Sequence, residues 1–325
     1  MLEVKNLVKA FGPVRAVNDV SFAAQRGEVL GFLGPNGAGK TTTMRMITGF
    51  LPPTAGTAVV NGYDILNQPI LARKQIGYLP ENAPTYGDMT VVNFLRFTAE
   101  LRGFRGRARN AKVDEIVEKY QLRQVRNQPV DTLSKGYNQR VCFAQAILHD
   151  PPILIMDEPT DGLDPNQKHT VRTLIKEMAA EKVIVISTHI LEEVDAICSR
   201  AVVISSGRIV ANATPTELRA MSNTYGVVQL DMPEAGKDIA EKLQGLAAAD
   251  RVDAEQSRYL VHPAEPDTLL AEVAALIRAE GWEPRGLKVL DGRLDEVFRK
   301  LTLGDGQAEP EASGQVAGDA SADAA

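Results

Sequence analysis

The chain has few of the features that mark secreted or membrane-embedded proteins. None of its 325 residues belongs to an apolar run approaching the roughly 18 to 20 residues that cross a bilayer. Its start, residues 1–5, lacks the basic and apolar regions of a secretory signal. The two cysteines, Cys142 and Cys198, show no Cys-x-x-Cys spacing, which favours buried free thiols over a disulfide or a metal site. We therefore expect a cytoplasmic protein.

The chain also has no excess of basic residues. The formal net charge is −6, and residues 304–325 contribute five acidic side chains and no basic one, which leaves −1 for the rest of the chain. This balance argues against a nucleic-acid partner, because such proteins usually present a basic surface. Small and acidic residues dominate residues 304–325 and cannot bury enough apolar surface to offset the ordering entropy, so we predict a disordered acidic tail there.

Short apolar runs alternate with helical patterns over residues 1–221. This alternation is typical of βαβ units and predicts an α/β domain built around a largely parallel sheet. Strands are expected at residues 29–33, 76–79, 153–156 and 183–187, and helices at residues 41–51 and from Pro165 onward. From about residue 84 to 149 the β-type runs disappear and helical patterns replace them. We therefore predict a helical subdomain inserted in the α/β domain.

Residues 222–303 have a different pattern and are predicted to form a small α+β accessory domain. Strand patterns occur at residues 226–230, 259–261 and 287–290, and helical patterns at residues 239–246, 267–279 and 294–301. His262 is isolated there and Trp282 is interpreted as a packing residue. No catalytic cluster is therefore expected in this part of the chain.

The sequence Gly-Pro-Asn-Gly-Ala-Gly-Lys-Thr-Thr follows the apolar run at residues 28–33. Glycines at this spacing let backbone N–H groups turn inward around phosphates, and the helix that follows offers its N-terminal dipole. Lys40 would supply a charge to the β- and γ-phosphates, and the Thr41 hydroxyl a ligand to Mg²⁺. The predicted nucleotide-binding residues of this loop are Gly34, Asn36, Gly37, Ala38, Gly39, Lys40, Thr41 and Thr42. The loop alone predicts only a nucleoside triphosphate.

The expected strand at residues 153–156 ends in two acids, Asp157 and Glu158. Burying carboxylates is costly unless they bind a partner. A strand-terminal Asp can hold Mg²⁺, directly or through water, and the adjacent Glu can polarise the water that attacks a γ-phosphate. An acidic junction between strand and loop is common by itself. Here a phosphate-binding loop precedes it, which favours Asp157 as a metal ligand and Glu158 as a catalytic residue.

Between these two motifs lies the sequence Leu-Ser-Lys-Gly-Tyr-Asn-Gln-Arg, at residues 133–140 and the start of an apolar helical pattern. Ser134 and Gly136 there form a second helix start suited to an anion. In this order the motifs resemble those of the ATP-binding-cassette (ABC) ATPases over residues 1 to about 220. The resemblance implies a P-loop NTPase fold: an α/β RecA-like core with a helical subdomain and an antiparallel β-subdomain, followed here by a small C-terminal α+β domain.

The resemblance assigns roles to four further positions. Phe11 matches the aromatic residue that stacks on adenine, although a Phe of the core is an alternative. Glu81 stands where the family usually has a glutamine that touches Mg²⁺, and a carboxylate can coordinate the metal as well. Asp161 matches the loop that crosses the dimer interface, and His189 matches the switch histidine that contacts the γ-phosphate. With Glu158 and Lys40, His189 completes the predicted catalytic set.

In this family the signature loop of one subunit closes on the ATP that another subunit holds. The resemblance therefore implies an ATP-sandwich homodimer that hydrolyses ATP with Mg²⁺ and powers a separately encoded integral membrane permease. That permease would hold the protein at the inner face of the cell membrane. Lys135 and Tyr137 replace the usual glycine and glutamine of the signature. These variants, Glu81 and residues 294–298 are similar to those of ABC-2 exporter ATPases of the gliding-motility and daunorubicin-resistance types.

Two alternatives remain from the sequence. A non-transport ABC ATPase acting on DNA or ribosomes would usually carry two cassettes, a long coiled-coil insertion or zinc-binding cysteines, and the chain shows none of these. A P-loop kinase or GTPase would leave the signature loop and the switch histidine unexplained.

Overall fold

A computed structural model describes residues 1–81 and 85–303 of the chain. Its strands, in chain order, are β1 (Leu2–Phe11), β2 (Val14–Ala24), β3 (Val29–Leu33), β4 (Ala55–Val60), β5 (Tyr63–Asp64), β6 (Ile76–Leu79), β7 (Ile153–Asp157), β8 (Val183–Thr188), β9 (Arg200–Ser205), β10 (Arg208–Ala213), β11 (Tyr225–Asp231), β12 (Ala249–Glu255), β13 (Arg258–Pro263) and β14 (Gly286–Asp291).

The α-helices of the same residues alternate with these strands. They are α1 (Lys40–Ile47), α2 (Pro69–Lys74), α3 (Val91–Leu101), α4 (Gly106–Lys119), α5 (Lys135–Ile147), α6 (Pro165–Ala179), α7 (Leu191–Ile197), α8 (Pro215–Ala220), α9 (Lys237–Gln244), α10 (Pro266–Glu280) and α11 (Leu294–Leu303).

A six-stranded central sheet positions the candidate site. Its strand order is β10-β9-β3-β8-β7-β6, and all neighbouring pairs are parallel except β10 and β9. Strands β3, β7 and β8 are buried along their whole length, as their largely apolar sequences predict. Because parallel strands end at one edge of the sheet, the residues that follow β3, β7 and β8 meet there. The prediction of a largely parallel sheet in an α/β fold is confirmed.

The helix after β3 is shorter than predicted. We expected it over residues 41–51, stopped by the prolines at positions 52 and 53, but α1 ends at Ile47. Thr48 follows as the C-terminal cap, and Gly49 has a φ of +74°, a left-handed conformation that cannot continue a helix. The prediction of the C-terminal end of α1 was therefore wrong.

A second, antiparallel sheet packs beside the central one. Its order is β2-β1-β4-β5, and one core unites buried side chains of both sheets with those of α1. The register between β1 and β2 shifts between Val4 and Leu7, next to Asn6, whose φ of +48° marks the irregularity. This sheet corresponds to the antiparallel β-subdomain that the family resemblance implied.

Helices α3, α4 and α5 form the helical part of the structure and share a core with β7 and α6. Thr90 begins α3 by accepting a hydrogen bond from the backbone N–H of Asn93. The predicted start of the helical subdomain, at about residue 84, lies outside the described residues. Its boundaries and those of the other domains remain predictions.

Strands β11 to β14 form a third sheet, in the order β12-β13-β11-β14 and antiparallel throughout. The element order βαββαβ places α9 and α10 against one face, over a core that includes Val228, Leu230 and Tyr259. Sequence reasoning missed β12, because its sequence, Ala-Asp-Arg-Val-Asp-Ala-Glu, carries one large apolar side chain. The predicted acidic tail, residues 304–325, lies outside the described residues.

Helix α11 packs away from this third sheet. Its apolar residues Leu294, Val297 and Phe298 join Leu33 and Leu218 in a separate cluster against β9 and α8. The C-terminal helix of the described chain therefore contributes to the core beneath the central sheet.

No helix among the described residues has both the length and the apolar character needed to cross a membrane. Cys142 and Cys198 are both free thiols, and burial raises the pKa of each to about 12. The thiols are therefore protonated near neutrality, and Cys142 is buried as predicted, whereas Cys198 is partly exposed.

Candidate active site

The loop between β3 and α1 has the backbone conformation of a phosphate cradle. Gly37 and Gly39 have φ values of +79° and +107°, a region that residues with a Cβ rarely adopt. A Cβ on Gly39 would also lie 2.5 Å from the carbonyl oxygen of Ala16. The first turn of α1 contains no acidic side chain and no side-chain cap, so its N–H groups remain available to an anion.

Lys40, the first residue of α1, carries a buried ammonium group. Its side chain is 5% exposed, and Nζ donates to the carbonyl oxygens of Gly34 at 2.8 Å and Pro35 at 3.3 Å. Nζ also lies 3.6 Å from Oε1 of Glu158. These contacts fix a positive charge inside the loop, where the phosphates of a nucleotide would need it.

Asp157, the last residue of β7, is 1% exposed. Its Oδ1 accepts a hydrogen bond from the Ser187 hydroxyl of β8, whereas its Oδ2 has no partner among the described residues. An unpartnered buried carboxylate oxygen is costly in a protein interior. The carboxylate of Asp157 therefore has the burial and the free oxygen of a cation ligand.

Glu158 follows Asp157 in a strained backbone conformation. Its φ is +51°, which is uncommon for a residue other than glycine and is often found at functional sites. One carboxylate oxygen lies 2.5 Å from Nδ1 of His189 and the other faces Lys40. The conformation turns the Glu158 side chain, which is 12% exposed, toward the same space as the half-exposed ring of His189.

These groups surround one cleft with a volume of about 540 Å³. Ten predicted site residues line it: Asn36, Gly37, Gly39, Lys40, Thr41, Thr42, Glu81, Glu158, Asp161 and His189. Possible ligand atoms of Glu158, Asp161 and His189 lie within 4.8 Å of one another. The cleft can therefore hold an anion at the glycine loop with a carboxylate and an imidazole close to it.

Some predicted residues stand outside this lining. The carbonyl of Gly34 accepts a hydrogen bond from Lys40, and Ala38 and Asp157 are buried and do not line the cleft. Phe11, at the end of β1, is 50% exposed, with its ring 5.2 Å from Nζ of Lys9. That exposure makes the alternative of a core Phe wrong. Adenine stacking by Phe11 remains a prediction.

The signature residues lie at the start of α5 and not on the cleft. Ser134 caps α5 by accepting from the backbone N–H of Tyr137 at 3.4 Å. A Cβ on Gly136 would lie 2.7 Å from the amide nitrogen of Gln167, so α5 approaches the start of α6 closely there. The structure thus does not bring Ser134 and Gly136 to the loop of Lys40 within one chain.

Sequence reasoning missed two residues near the cleft. Ala16, on β2, lines it, and no motif marked this position. Glu193, on α7, is 1% exposed and its Oε2 accepts from the Thr188 hydroxyl at 2.8 Å. The available signal for Glu193 was an acid at an apolar position of the helix that follows the switch histidine.

A family model, a relative in sequence and a solved structure that resemble the chain all belong to one family. Residues 17–161 match the family model described as ABC transporter. The chain is 33% identical over 307 residues to the Nod factor export ATP-binding protein I of Ralstonia nicotianae, which covers 93% of this chain and 94% of that protein. A solved structure described as the ATP binding subunit of an ABC transporter matches with a TM-score of 0.62 at 32% identity, over 68% of this chain and 92% of the other.

A further relative is longer than this chain. Over 223 residues the chain is 39% identical to the probable multidrug ABC transporter ATP-binding protein YbhF of Escherichia coli (strain K12). The match covers 68% of this chain and 38% of YbhF, so the chain spans less than half of that relative.

Proposed function

The chain belongs to the ATP-binding proteins of ABC transporters and is an ATPase of that family, and on that premise we propose that it powers a separate membrane permease as a homodimer. The observation that carries the proposal is the cleft in which Lys40, Glu158 and His189 converge on the glycine loop. The names of two relatives, for multidrug transport and Nod factor export, support export as the direction.

In the proposed reaction Lys40 binds the β- and γ-phosphates of ATP. Its ammonium group is buried and anchored by two carbonyl oxygens, so the charge is in place before the nucleotide arrives. Glu158 orients and polarises the attacking water, and His189 holds the γ-phosphate while its Nδ1 contacts the Glu158 carboxylate. The strained φ of Glu158 aims this carboxylate into the cleft.

The oxygen groups of Asp157, Thr41 and Glu81 are of the kind that Mg²⁺ prefers. The unpartnered Oδ2 of buried Asp157 is a suitable ligand, and Thr41 and Glu81 border the same cleft. When bound, the cation would neutralise charge on the phosphates. We propose these three residues as its protein ligands, with Asp157 acting directly or through water.

A homodimer would complete the nucleotide site. Ser134 and Gly136 do not line the cleft of their own chain in the described residues, although the start of α5 is suited to an anion. We propose that the signature loop of a second copy covers the ATP, with Asp161 at the interface and Phe11 against the adenine. Closure would then require ATP in both sites.

A second cleft supports a membrane partner. It lies beside α2 and α3, has a volume of about 840 Å³, and is lined by Arg73, Thr85, Tyr86, Phe94, Phe97, Thr98, Leu101, Arg102 and Gln145. Tyr86 and Leu101 are 56% and 71% exposed, an unusual state for large apolar side chains at one place. Glu81 precedes this region in the chain. We propose that a cytoplasmic segment of the permease docks here and holds the protein at the inner face of the membrane.

Replacement of Glu158 tests the catalytic assignment. We expect Glu158→Gln to lower the steady-state ATPase rate by roughly 100- to 10,000-fold, because the amide cannot act as a base. ATP binding should persist and dimers should accumulate with ATP, as measured by light scattering. The control is Glu192→Gln, an exposed acid on α7. A normal rate in Glu158→Gln would contradict the assignment.

Purification from gently solubilised membranes tests the partner. The proposal predicts that an integral membrane protein is recovered with the wild-type chain and is lost in Leu101→Arg, which places a charge on the second cleft. Salt-sensitive association with DNA or ribosomes in its place would favour the non-transport alternative.

A further inference from the structure

A buried carboxylate lies directly behind the switch histidine. Glu193, on α7, is 1% exposed. Its Oε2 accepts the hydroxyl hydrogen of Thr188 at 2.8 Å, and its Oε1 has no partner among the described residues. Acidic side chains are rarely buried to this extent. Neither the chemistry of the cleft nor the packing of α7 accounts for an acid at this position.

The Thr188 hydroxyl connects this carboxylate to the turn that carries His189. Its oxygen accepts a hydrogen bond from the backbone N–H of Ile190 at 3.0 Å. A hydroxyl has one hydrogen. Because this hydrogen is donated to Glu193, a lone pair of the Thr188 oxygen faces the Ile190 N–H. The chain of hydrogen bonds thus begins at Glu193 and clamps the backbone on both sides of His189.

The charges around Glu193 come from the neighbouring helix and from the site itself. Burial raises its pKa, while the bond from Thr188 and the charges of Arg172 and Lys168 on α6 act in the opposite direction. Glu158 also acts on it and raises the pKa further. Glu193 therefore lies among opposing charges, and it does not line the cleft in the described residues.

We propose that Glu193 is a positioning residue for ATP hydrolysis: through the Thr188 hydroxyl it holds the turn at His189, and so keeps the imidazole in contact with Glu158. The inference rests on the proposed roles of Glu158 and His189. Nδ1 of His189 lies 2.5 Å from Glu158, a contact that a small shift of the turn would break. Misplacement of a catalytic group by about 1 Å can cost roughly 100-fold in rate.

Substitutions at both ends of the hydrogen bond test the proposal. Thr188→Val keeps the shape of the side chain but removes the hydroxyl, and Glu193→Ala removes the carboxylate. We expect each to lower kcat by roughly 10- to 100-fold, with the Kd for ADP within about twofold of the wild type, because the nucleotide loop is untouched. Thr188→Ser and Glu193→Gln keep a donor and an acceptor and should retain about half of kcat or more. Glu192→Ala, the exposed neighbour, should have wild-type kcat.

The dependence on His189 separates positioning from general destabilisation. In a His189→Ala background, Thr188→Val should lower the remaining rate by less than about twofold, because its effect acts through the missing imidazole. Equal losses in both backgrounds would overturn the proposal, and so would wild-type kcat in Thr188→Val and Glu193→Ala. If Glu193→Ala does not fold by circular dichroism, Thr188→Val decides alone. Full activity in His189→Ala and Glu158→Gln would instead contradict the proposed function on which the inference depends.

Discussion

The central sheet and the C-terminal sheet place their polar side chains differently. In the central sheet β3, β7 and β8 are buried throughout, and polar groups such as Asp157, Ser187 and Thr188 appear where strands end. In the C-terminal sheet they lie along the strands, where Arg251, Asp253 and His262 contact one another at the surface. The central sheet therefore concentrates polar groups at one buried edge, whereas the C-terminal sheet distributes them over a solvated face.

Hydrogen-bonding capacity makes the contrast sharper. The buried side-chain nitrogen and oxygen atoms that lack a partner in the described residues all belong to the first 200 positions of the chain. Among them are oxygens of Asp157, Thr160 and Glu193, which lie at or near the ends of β7 and β8. Such groups cost stability unless a ligand or a movement satisfies them. The comparison therefore indicates that the central sheet carries the ligand-binding edge and that the buried polar side-chain groups of the C-terminal sheet are satisfied within the described structure.

Among the changes that compare the two sheets, the largest effect should follow from removing the charge at the nucleotide loop. Lys40→Ala deletes the buried ammonium that contacts the carbonyls of Gly34 and Pro35 and faces Glu158. We expect the ATPase rate to fall by roughly 100- to 1,000-fold, since preorganised charge in a desolvated site stabilises the transition state strongly. The rate and the ATP affinity would be measured on the purified protein. The control is Arg45→Ala, in the last turn of α1, which should keep the wild-type rate. A mild effect of Lys40→Ala would contradict the view that the central sheet, unlike the C-terminal sheet, carries the nucleotide site.

A smaller effect is expected in the core of the C-terminal sheet. Leu269 on α10 is fully buried against that sheet, so Leu269→Ala should cost about 2 to 5 kcal/mol in the free energy of unfolding of this part. Because the cluster contains only C-terminal residues, the Kd for ADP should stay within about twofold. Chemical unfolding followed by circular dichroism gives the first value, and Leu270→Ala, at an exposed position, is the control. A large change in ADP binding would show that the two sheets are coupled.

Helix α11 offers a way to sharpen the comparison. Phe298 comes late in the chain but packs in the cluster that contains Leu33, the residue before the glycine loop. Phe298→Ala should therefore destabilise the nucleotide-binding part, by about 2 kcal/mol, because the ring is only partly buried. The melting temperature in saturating ADP reports this change. Exposed Arg299→Ala should leave it unaltered, and loss confined to the C-terminal sheet would contradict the placement of α11.

Four strands of the central sheet were predictable because they are largely apolar runs. The expected strands at residues 29–33 and 76–79 agree with β3 and β6, and those at 153–156 and 183–187 are one residue shorter than β7 and β8. Strand β12 escaped prediction because a sheet edge can be built from charged residues when one Val reaches the core. The C-terminal end of α1 was not predicted because it depends on the backbone conformation of Gly49, and a glycine can adopt several conformations.

The site was predictable where a motif fixes spacing, and not where it depends on contacts. The glycine loop fixed Lys40 and Thr41 together, and both line the cleft. The hydrogen bond from Thr188 to Glu193 joins the end of a strand to the next helix. An acid at an apolar position of that helix is a signal in the sequence, but it does not identify the hydroxyl that the acid contacts. The burial of Glu193 is a property of how α7 packs, which requires the fold.

The smallest effect should come from the polar face of the C-terminal sheet. Burial raises the pKa of the Asp253 carboxyl, but the contacts of Arg251 and His262 with this carboxyl outweigh burial, and the pKa is lowered. A lowered pKa means that this contribution to stability is present above the usual aspartate range and is lost as the pH falls through the folded value. Asp253→Asn should therefore lower the melting temperature by roughly 2 °C or less near neutrality, and the difference should shrink in acid. The ATPase rate should not change in this variant or in the control Glu255→Gln. A loss of activity in Asp253→Asn alone would mean that this face takes part in the function, and the contrast between the two sheets would no longer hold.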